Sequence, residues 1–428
     1  MELLSQRGYF DVARPKVIVQ VYPMLPSNGE QDRKARRPLG RDSALYHKVI
    51  HDYTEVLAEA EKLGVWGACS VEHHLHSEGY EVGPAPGVLN AYWAAKFSKL
   101  HVGALGYVMA TQDPIRVAEE TAVIDHLSEG RFFVGFARGY QSRWTNILGQ
   151  FSDTVAALSD GGAEDQKNRD IFEERVDMVL DCWTKDSVSL DGNFYKAPYP
   201  MDTGVRGYPA WKISRDAGTE GEVDATGAIR RVSVVPAPYQ RPHPPVFVAT
   251  SKSDASISYC ARKGFIPCYF SNFEKIRQHS KIYVSESQSS GHPVRMGEKQ
   301  NIVRWVHICE SEADYDRKLR EYDMDIYKNF YAPFFPQFPS DPGTDFAQNI
   351  KDSGIYIGGT IERVRQAWID IYSEFPAEYI TLIFHYAQQP KDDVIATLRR
   401  FMTEVIPHLK APDTQLHKSL AAPEQAAC

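Results

Sequence analysis

The chain has 428 residues, 43% of them hydrophobic and 24% charged, which is the make-up of a globular protein with a sizeable core and not of a disordered one. Its formal net charge of -8 excludes general binding to a nucleic-acid backbone, which needs a basic surface. The opening MELLSQRGYF has no sustained apolar run, and no stretch reaches the ~18 apolar residues of a membrane span, so a cytoplasmic protein with no membrane partner is expected.

Taken in chain order, short β-branched and aromatic runs recur and are followed by helical patterns. KVIVQVY (16–22) leads to YTEVLAEAEKLG, GVWGACSV (64–71) to VLNAYWAAKFS, and LHVGALGYV (100–108) to PIRVAEETAVIDHLSEG. In the last of these, Asp113 reads as the cap, Pro114 as the first helical residue and Gly130 as the stop. RFFVGF (131–136) precedes IFEERVDMVLDCW, and PVFVAT (245–250) precedes DASISYCARKG. GFIPCYF (264–270), NIVRWVHIC (301–309) and EYITLIF (378–384) complete eight strands, and SEADYDRKLREYDMDIY, TIERVRQAWIDIY and DVIATLRRFMTEVI complete eight helices. Eight alternations predict an α/β protein with a (β/α)8 barrel, a doubly wound sheet being the alternative. The six cysteines, Cys69, Cys182, Cys260, Cys268, Cys309 and Cys428, form no CxxC pair, and all but the last lie within or beside apolar patterns, as reduced core thiols do.

Three stretches exceed ordinary βα loops: Gln150–Arg169, Asp191–Pro244 and Asn329–Asp345. None has the composition of a linker between independent cores. A single domain over 1–428 is therefore expected, with its core in about 16–410 and a flexible tail over 411–428. The aromatic and proline-rich NFYAPFFPQFP (329–339) reads as a lid that presents rigid apolar area without helix or strand, or as an ordinary surface-packed loop.

In a parallel barrel, function collects at the C-terminal ends of the strands. Those ends carry Tyr22, EHHLH (72–76), GYVMAT (106–111), ARGY (137–140), ATSKSD (249–254) and His385. Arg138 at a core-strand end, beside Gly139, reads as an anion fork, and Ser251 and Ser253 sit beside the unpaired amides of a helix start, so a phosphate cradle is expected. Adjacent His73 and His74 on a strand point to opposite faces and would not meet at one ion, so no metal is expected. One histidine facing the barrel mouth is read as a proton donor, acceptor or hydrogen-bond anchor.

SVEHHLHSEG, LHVGALGYVMATQDPIRVAEETAVIDHLSEGRFFVGFARGY, HPPVFVATSKSDASISYCARKG, IYIGGTIERVRQAW and EVIPHLK resemble the bacterial luciferase family of flavin-dependent monooxygenases, from about Val17 to Lys410 apart from the insertions. The resemblance implies a (β/α)8 barrel that takes reduced FMN from a separate flavin reductase and lets oxygen form a flavin peroxide that oxidises a small organic substrate. It aligns His73 with the family's catalytic histidine and Arg138 with its flavin-phosphate arginine, flanked by Ala137, Gly139 and Tyr140. Thr250, Ser251 and Ser253 share the position of a phosphate-binding serine, and Leu105-Gly106 falls where the family has a non-proline cis peptide. Ala137 stands where the light-emitting enzymes have a reactive cysteine, which argues against light emission. A deazaflavin-dependent oxidoreductase and a flavin-binding protein without turnover are the alternatives. The long insertions suggest a bulky, polycyclic or natural-product substrate, and apolar positions including Tyr92, Trp93 and Phe97 suggest a homodimer.

Overall fold

The computed structural model describes residues 12–335, 343 and 345–412. Each of the eight apolar runs contains a strand: β1 Lys16–Val21, β2 Gly67–Ser70, β3 His101–Ala104, β4 Phe132–Ala137, β5 Val246–Thr250, β6 Ile266–Tyr269, β7 Asn301–Ile308 and β8 Tyr379–Phe384. Their order in the sheet is their order in the chain, with β8 returning to β1, and the fold is a (β/α)8 barrel. The described residues divide into two compact units, one drawn from 12–84, 97–101 and the described part of 247–412 and the other from 85–96 and 102–246.

In the first unit β5, β6, β7, β8, β1 and β2 pair in parallel in that order. Every residue of β7 and β8 is buried, as expected of strands covered on both faces, which is why they read as continuous apolar runs and not as alternating ones. The eight barrel strands are as expected, but the helix count needs correction. A helix over Phe273–Ser289 follows β6 and is absent from the eight helical patterns read in the sequence. Its inward positions are Ile276, His279, Ser280, Tyr283 and Ser287, so three of five buried side chains are polar and interrupt the apolar stripe. The helix Ile361–Glu374 belongs instead to a supernumerary strand, Tyr356–Gly359, which pairs with the last four residues of β7.

The second unit holds β3, β4 and a two-residue strand, Tyr107–Val108, that also pairs with β4. The Leu105–Gly106 peptide is cis and separates the two parts of what reads in sequence as one strand. An ideal Cβ on Gly106 would lie 2.3 Å from the Gly135 carbonyl oxygen, so only glycine lets the backbones pass this closely. Asp113 caps the helix Pro114–Leu127 by accepting from the Ile115 and Arg116 amides, as its sequence predicts.

Two further expectations change. The aromatic segment from Asn329 is not extended at its start. Helix runs on from Glu312 through Tyr327–Tyr331 and Ala332–Phe334, burying Phe330 and Tyr331, while 336–342 and 344 lie outside the described residues. Trp93 and Phe97 are buried, so they offer no surface to a second copy; the large exposed apolar residues on the helices after β2 and β3 are Val88, Val123 and Leu127. Cys69, Cys182, Cys260, Cys268 and Cys309 are buried free thiols, and Cys428 lies outside the described residues.

Candidate active site

The first unit gathers titratable side chains where β1, β2, β7 and β8 end. After β2 the chain leaves the sheet, and Leu75 adopts φ +64°, turning the EHHLH stretch sharply. The three histidines then take three different carboxylates. His73 Nδ1 lies 2.7 Å from Glu81 Oε2, His74 Nε2 lies 3.0 Å from Glu72 Oε1, and His76 Nδ1 lies 3.1 Å from Glu78 Oε1. His73 and His74 diverge as strand geometry predicts. It is His76 that the turn brings near His73, with ring centroids 6.1 Å apart.

Glu81, with no solvent exposure, is the centre of this group. The Tyr22 hydroxyl donates to its Oε1 and His73 engages its Oε2. Burial alone would raise this carboxyl, but the neighbouring His73, His76 and the Tyr22 hydroxyl outweigh it and hold the group below its ordinary value, hence ionised. Ligating atoms of His73, His76 and Glu81 lie within 4.8 Å of one another, a spacing a transition ion could draw together. The hydrogen bonds Glu81 already makes account for the cluster without an ion.

A second group adjoins Tyr22, whose ring centroid is 5.8 Å from His73 and 6.1 Å from His385. His385 Nδ1 is 2.6 Å from Asp323 Oδ1, and the other oxygen of Asp323 is 2.8 Å from His307 Nε2. The Trp305 indole N–H donates to His385 Nε2 at 2.9 Å. Indole nitrogen only donates, so His385 Nε2 carries its lone pair, Nδ1 carries the proton, and Asp323 accepts it. Burial would raise the Asp323 carboxyl, yet His307 and His385 together bring it down to about 2. A π-helical turn over Leu319–Asp323 places this carboxylate.

The second unit places Arg138 just after β4. Its Nε donates to Asn168 Oδ1 at 3.0 Å, and one amino group donates to the Asp165 carbonyl at 2.6 Å and carboxylate at 2.7 Å. Two of the three guanidinium nitrogens are thus committed to the chain itself, and Nη1 makes no hydrogen bond among the described residues. Burial lowers the Arg138 pKa and the nearby Arg169 charge lowers it further, while Asp165 and Glu173 oppose the shift. Gly139 follows at φ +79°, where a Cβ would come within 2.5 Å of Val108 Cγ1, so the turn after the arginine must be glycine. Ala137 ends the strand, and the Tyr140 hydroxyl accepts from Gln141 Nε2 at 3.0 Å. These features fit an anionic phosphate.

The three hydroxyls after β5 separate by their bonding. Thr250 Oγ1 donates to the Cys268 carbonyl at 2.8 Å and is spent within the barrel wall. Ser253 is the N-cap of the helix Asp254–Lys263 but does not cap it through its side chain, and the Ser251 hydroxyl makes no hydrogen bond among the described residues. Ser251 is better placed than Thr250 to meet a ligand.

Tyr22, His73, Arg138 and His385 are the candidates that strand ends point to in the sequence. Their partners Glu81, Asp323, His307, Trp305, Asp165, Asn168 and Arg169 are not among the sequence candidates. His307 and Trp305 lie within the run read as the seventh strand and were open to the same strand-end argument. The carboxylates gave no signal, because Glu81 lies in a loop and Asp323 is one of several acids on a helix.

Residues 34–212 match the family described as luciferase-like monooxygenase. The alkanal monooxygenase alpha chain of Photorhabdus luminescens is 23% identical over 394 residues, covering 83% of this chain and 92% of that protein. Among solved structures, the FMN-bound oxygenating constituent of 3,6-diketocamphane monooxygenase, a type II Baeyer-Villiger enzyme from Pseudomonas putida, superposes with a TM-score of 0.67 at 15% identity, covering 94% of this chain and 100% of that one. An F420-dependent secondary alcohol dehydrogenase bound to an F420-acetone adduct superposes with a TM-score of 0.59 at 11% identity, covering 92% and 99%. Among the described residues, no helix is long and apolar enough to cross a membrane.

Proposed function

We propose that this chain, a member of the luciferase-like monooxygenase family, uses reduced FMN and molecular oxygen to oxidise a bulky organic substrate. The observation that carries the reading is His73, ring-fixed by the buried Glu81 where the family resemblance puts a catalytic histidine. Reduced flavin, when bound, would supply the electrons that activate oxygen. Arg138, with Gly139 and Tyr140 behind it, would hold the phosphate through the guanidinium edge that Asp165 and Asn168 leave open. Ser251 and Ser253 would add hydroxyl and helix-start donors, while Leu105, Gly106 and Ala137 would contribute backbone and close packing. His73 would move a proton to or from the reacting atoms, as a positioned imidazole does near neutral pH.

The reductant would come from a separate flavin reductase, and the working form would be a homodimer. Bicyclic ketones are the first substrate class to try, since a protein of similar fold oxygenates diketocamphane. The similarity to an F420 enzyme supports a second reading, hydride transfer with a deazaflavin. The two separate in one experiment: anaerobic binding of reduced FMN and of reduced deazaflavin, followed by admission of oxygen with a bicyclic ketone present. The monooxygenase reading expects tight reduced-FMN binding and oxygen uptake matched by product. Preferential deazaflavin binding with substrate reduction and no oxygen uptake would overturn it.

A further inference from the structure

We infer that Glu81 is a positioning residue for His73: its carboxylate keeps the imidazole proton on Nδ1 and makes Nε2 the nitrogen that exchanges protons, while Tyr22 keeps the carboxylate in register. This rests on the reading of His73 as the proton-transfer group, though its structural half holds whatever the reaction.

Glu81 combines three features that are individually uncommon. It is a carboxylate with no solvent exposure, its backbone sits at φ +47°, and each of its oxygens has a different partner on a strand-end residue, Tyr22 for Oε1 and His73 for Oε2. A non-glycine residue keeps a left-handed conformation only where its surroundings fix it, and such positions cluster at working sites. The carboxylate only accepts, so the proton in the 2.7 Å contact belongs to His73 Nδ1.

A purely structural role is the competing account, in which Glu81 merely anchors its loop. That loop is already anchored by backbone. The His73 amide donates to the Gly83 carbonyl at 3.0 Å, Val82 to Pro23 at 2.8 Å and Leu25 to Gly79 at 2.8 Å. Arg33 clasps the same loop through the Glu78 carbonyl at 3.0 Å. With four such ties in place, a buried charge is a costly way to hold the loop and an effective way to select one imidazole tautomer.

The test reads the tautomer directly, from long-range ¹⁵N–¹H correlation spectra of the full-length protein labelled with ¹⁵N-histidine, with His73 assigned from the signal lost in His73→Ala. The wild type should show Nδ1 protonated. In Glu81→Gln the Tyr22 hydroxyl still claims the oxygen of the new amide, so the amide NH₂ faces Nδ1 and the proton should move to Nε2. Tyr22→Phe alone should leave the proton on Nδ1. The pair Tyr22→Phe with Glu81→Gln lets the amide rotate and should restore a fraction of the Nδ1–H form. Turnover of Glu81→Gln with reduced FMN should fall by about 10² to 10⁴-fold in kcat, with FMN affinity within about twofold of wild type. A wild-type spectrum showing Nε2–H, an unchanged tautomer in Glu81→Gln, or loss of Nδ1–H in Tyr22→Phe would each overturn the inference. A tautomer flip in a protein whose wild type shows no flavin-dependent oxygen uptake would uphold the positioning geometry and overturn the monooxygenase reading instead.

Discussion

Replacing Asp323 by asparagine puts the buried His307–Asp323–His385 group to a quantitative test. Asparagine keeps the shape but offers one acceptor and one donor where the carboxylate offers two acceptors. His385 is not free to adapt, because Trp305 donates to its Nε2 and so keeps its proton on Nδ1. The amide oxygen must serve His385, and the amide NH₂ then meets His307 Nε2. His307 would have to move its proton to Nδ1, a buried atom with no partner among the described residues. A buried donor left unsatisfied costs about 1–3 kcal/mol. Independently, a carboxyl brought from 3.8 to about 2 reports about 2 kcal/mol of preference for the ionised group in the folded state. The two estimates overlap, and Asp323→Asn should cost about 2 kcal/mol in urea unfolding at pH 7. Because the folded-state value lies below the unfolded one, the contribution of Asp323 is complete above about pH 4 and is lost as pH falls toward 2, so the gap between wild type and variant should stay constant down to about pH 4 and then narrow. A difference under about 1 kcal/mol at pH 7, or one that widens on acidification, would refute the assigned protons.

Arg138→Ala should weaken FMN binding by about 1.5–3 kcal/mol while barely changing riboflavin binding, measured by fluorescence titration of both; equal losses would remove Arg138 from the phosphate role. Gly106→Ala drives a Cβ to within 2.3 Å of a backbone oxygen and should cost at least about 3 kcal/mol or prevent folding. Gly207→Ala, at φ +76° but with nothing within 4 Å, should cost only about 1 kcal/mol, so thermal unfolding of the pair separates close approach from backbone strain.

The barrel was legible because its strands are buried on both faces and therefore appear as unbroken apolar runs, with Pro114 and Asp113 marking a helix start by local chemistry alone. The helix Phe273–Ser289 was not read, and it turns His279, Ser280 and Ser287 inward, so polar residues interrupt its buried apolar face. The candidate residues of each unit divide the same way. Residues at strand ends, Tyr22, His73, Arg138 and His385, follow from barrel geometry once the strands are placed. Glu81 and Asp323 depend on how a loop and a helix fold back over those ends, and a one-dimensional pattern does not separate a carboxylate that will be buried between two partners from one that will face water.

The most direct test of the account compares wild type with His73→Ala under single-turnover conditions, with prebound reduced FMN, oxygen and a bicyclic ketone, following oxygen consumed, hydrogen peroxide released and oxidised ketone formed. Wild type should couple oxygen uptake to product, and His73→Ala should bind reduced FMN with unchanged affinity yet form product at least about 10²-fold more slowly. Product formation by His73→Ala at the wild-type rate would contradict the role of His73, and a wild type that takes up no oxygen with reduced FMN would contradict the monooxygenase reading itself.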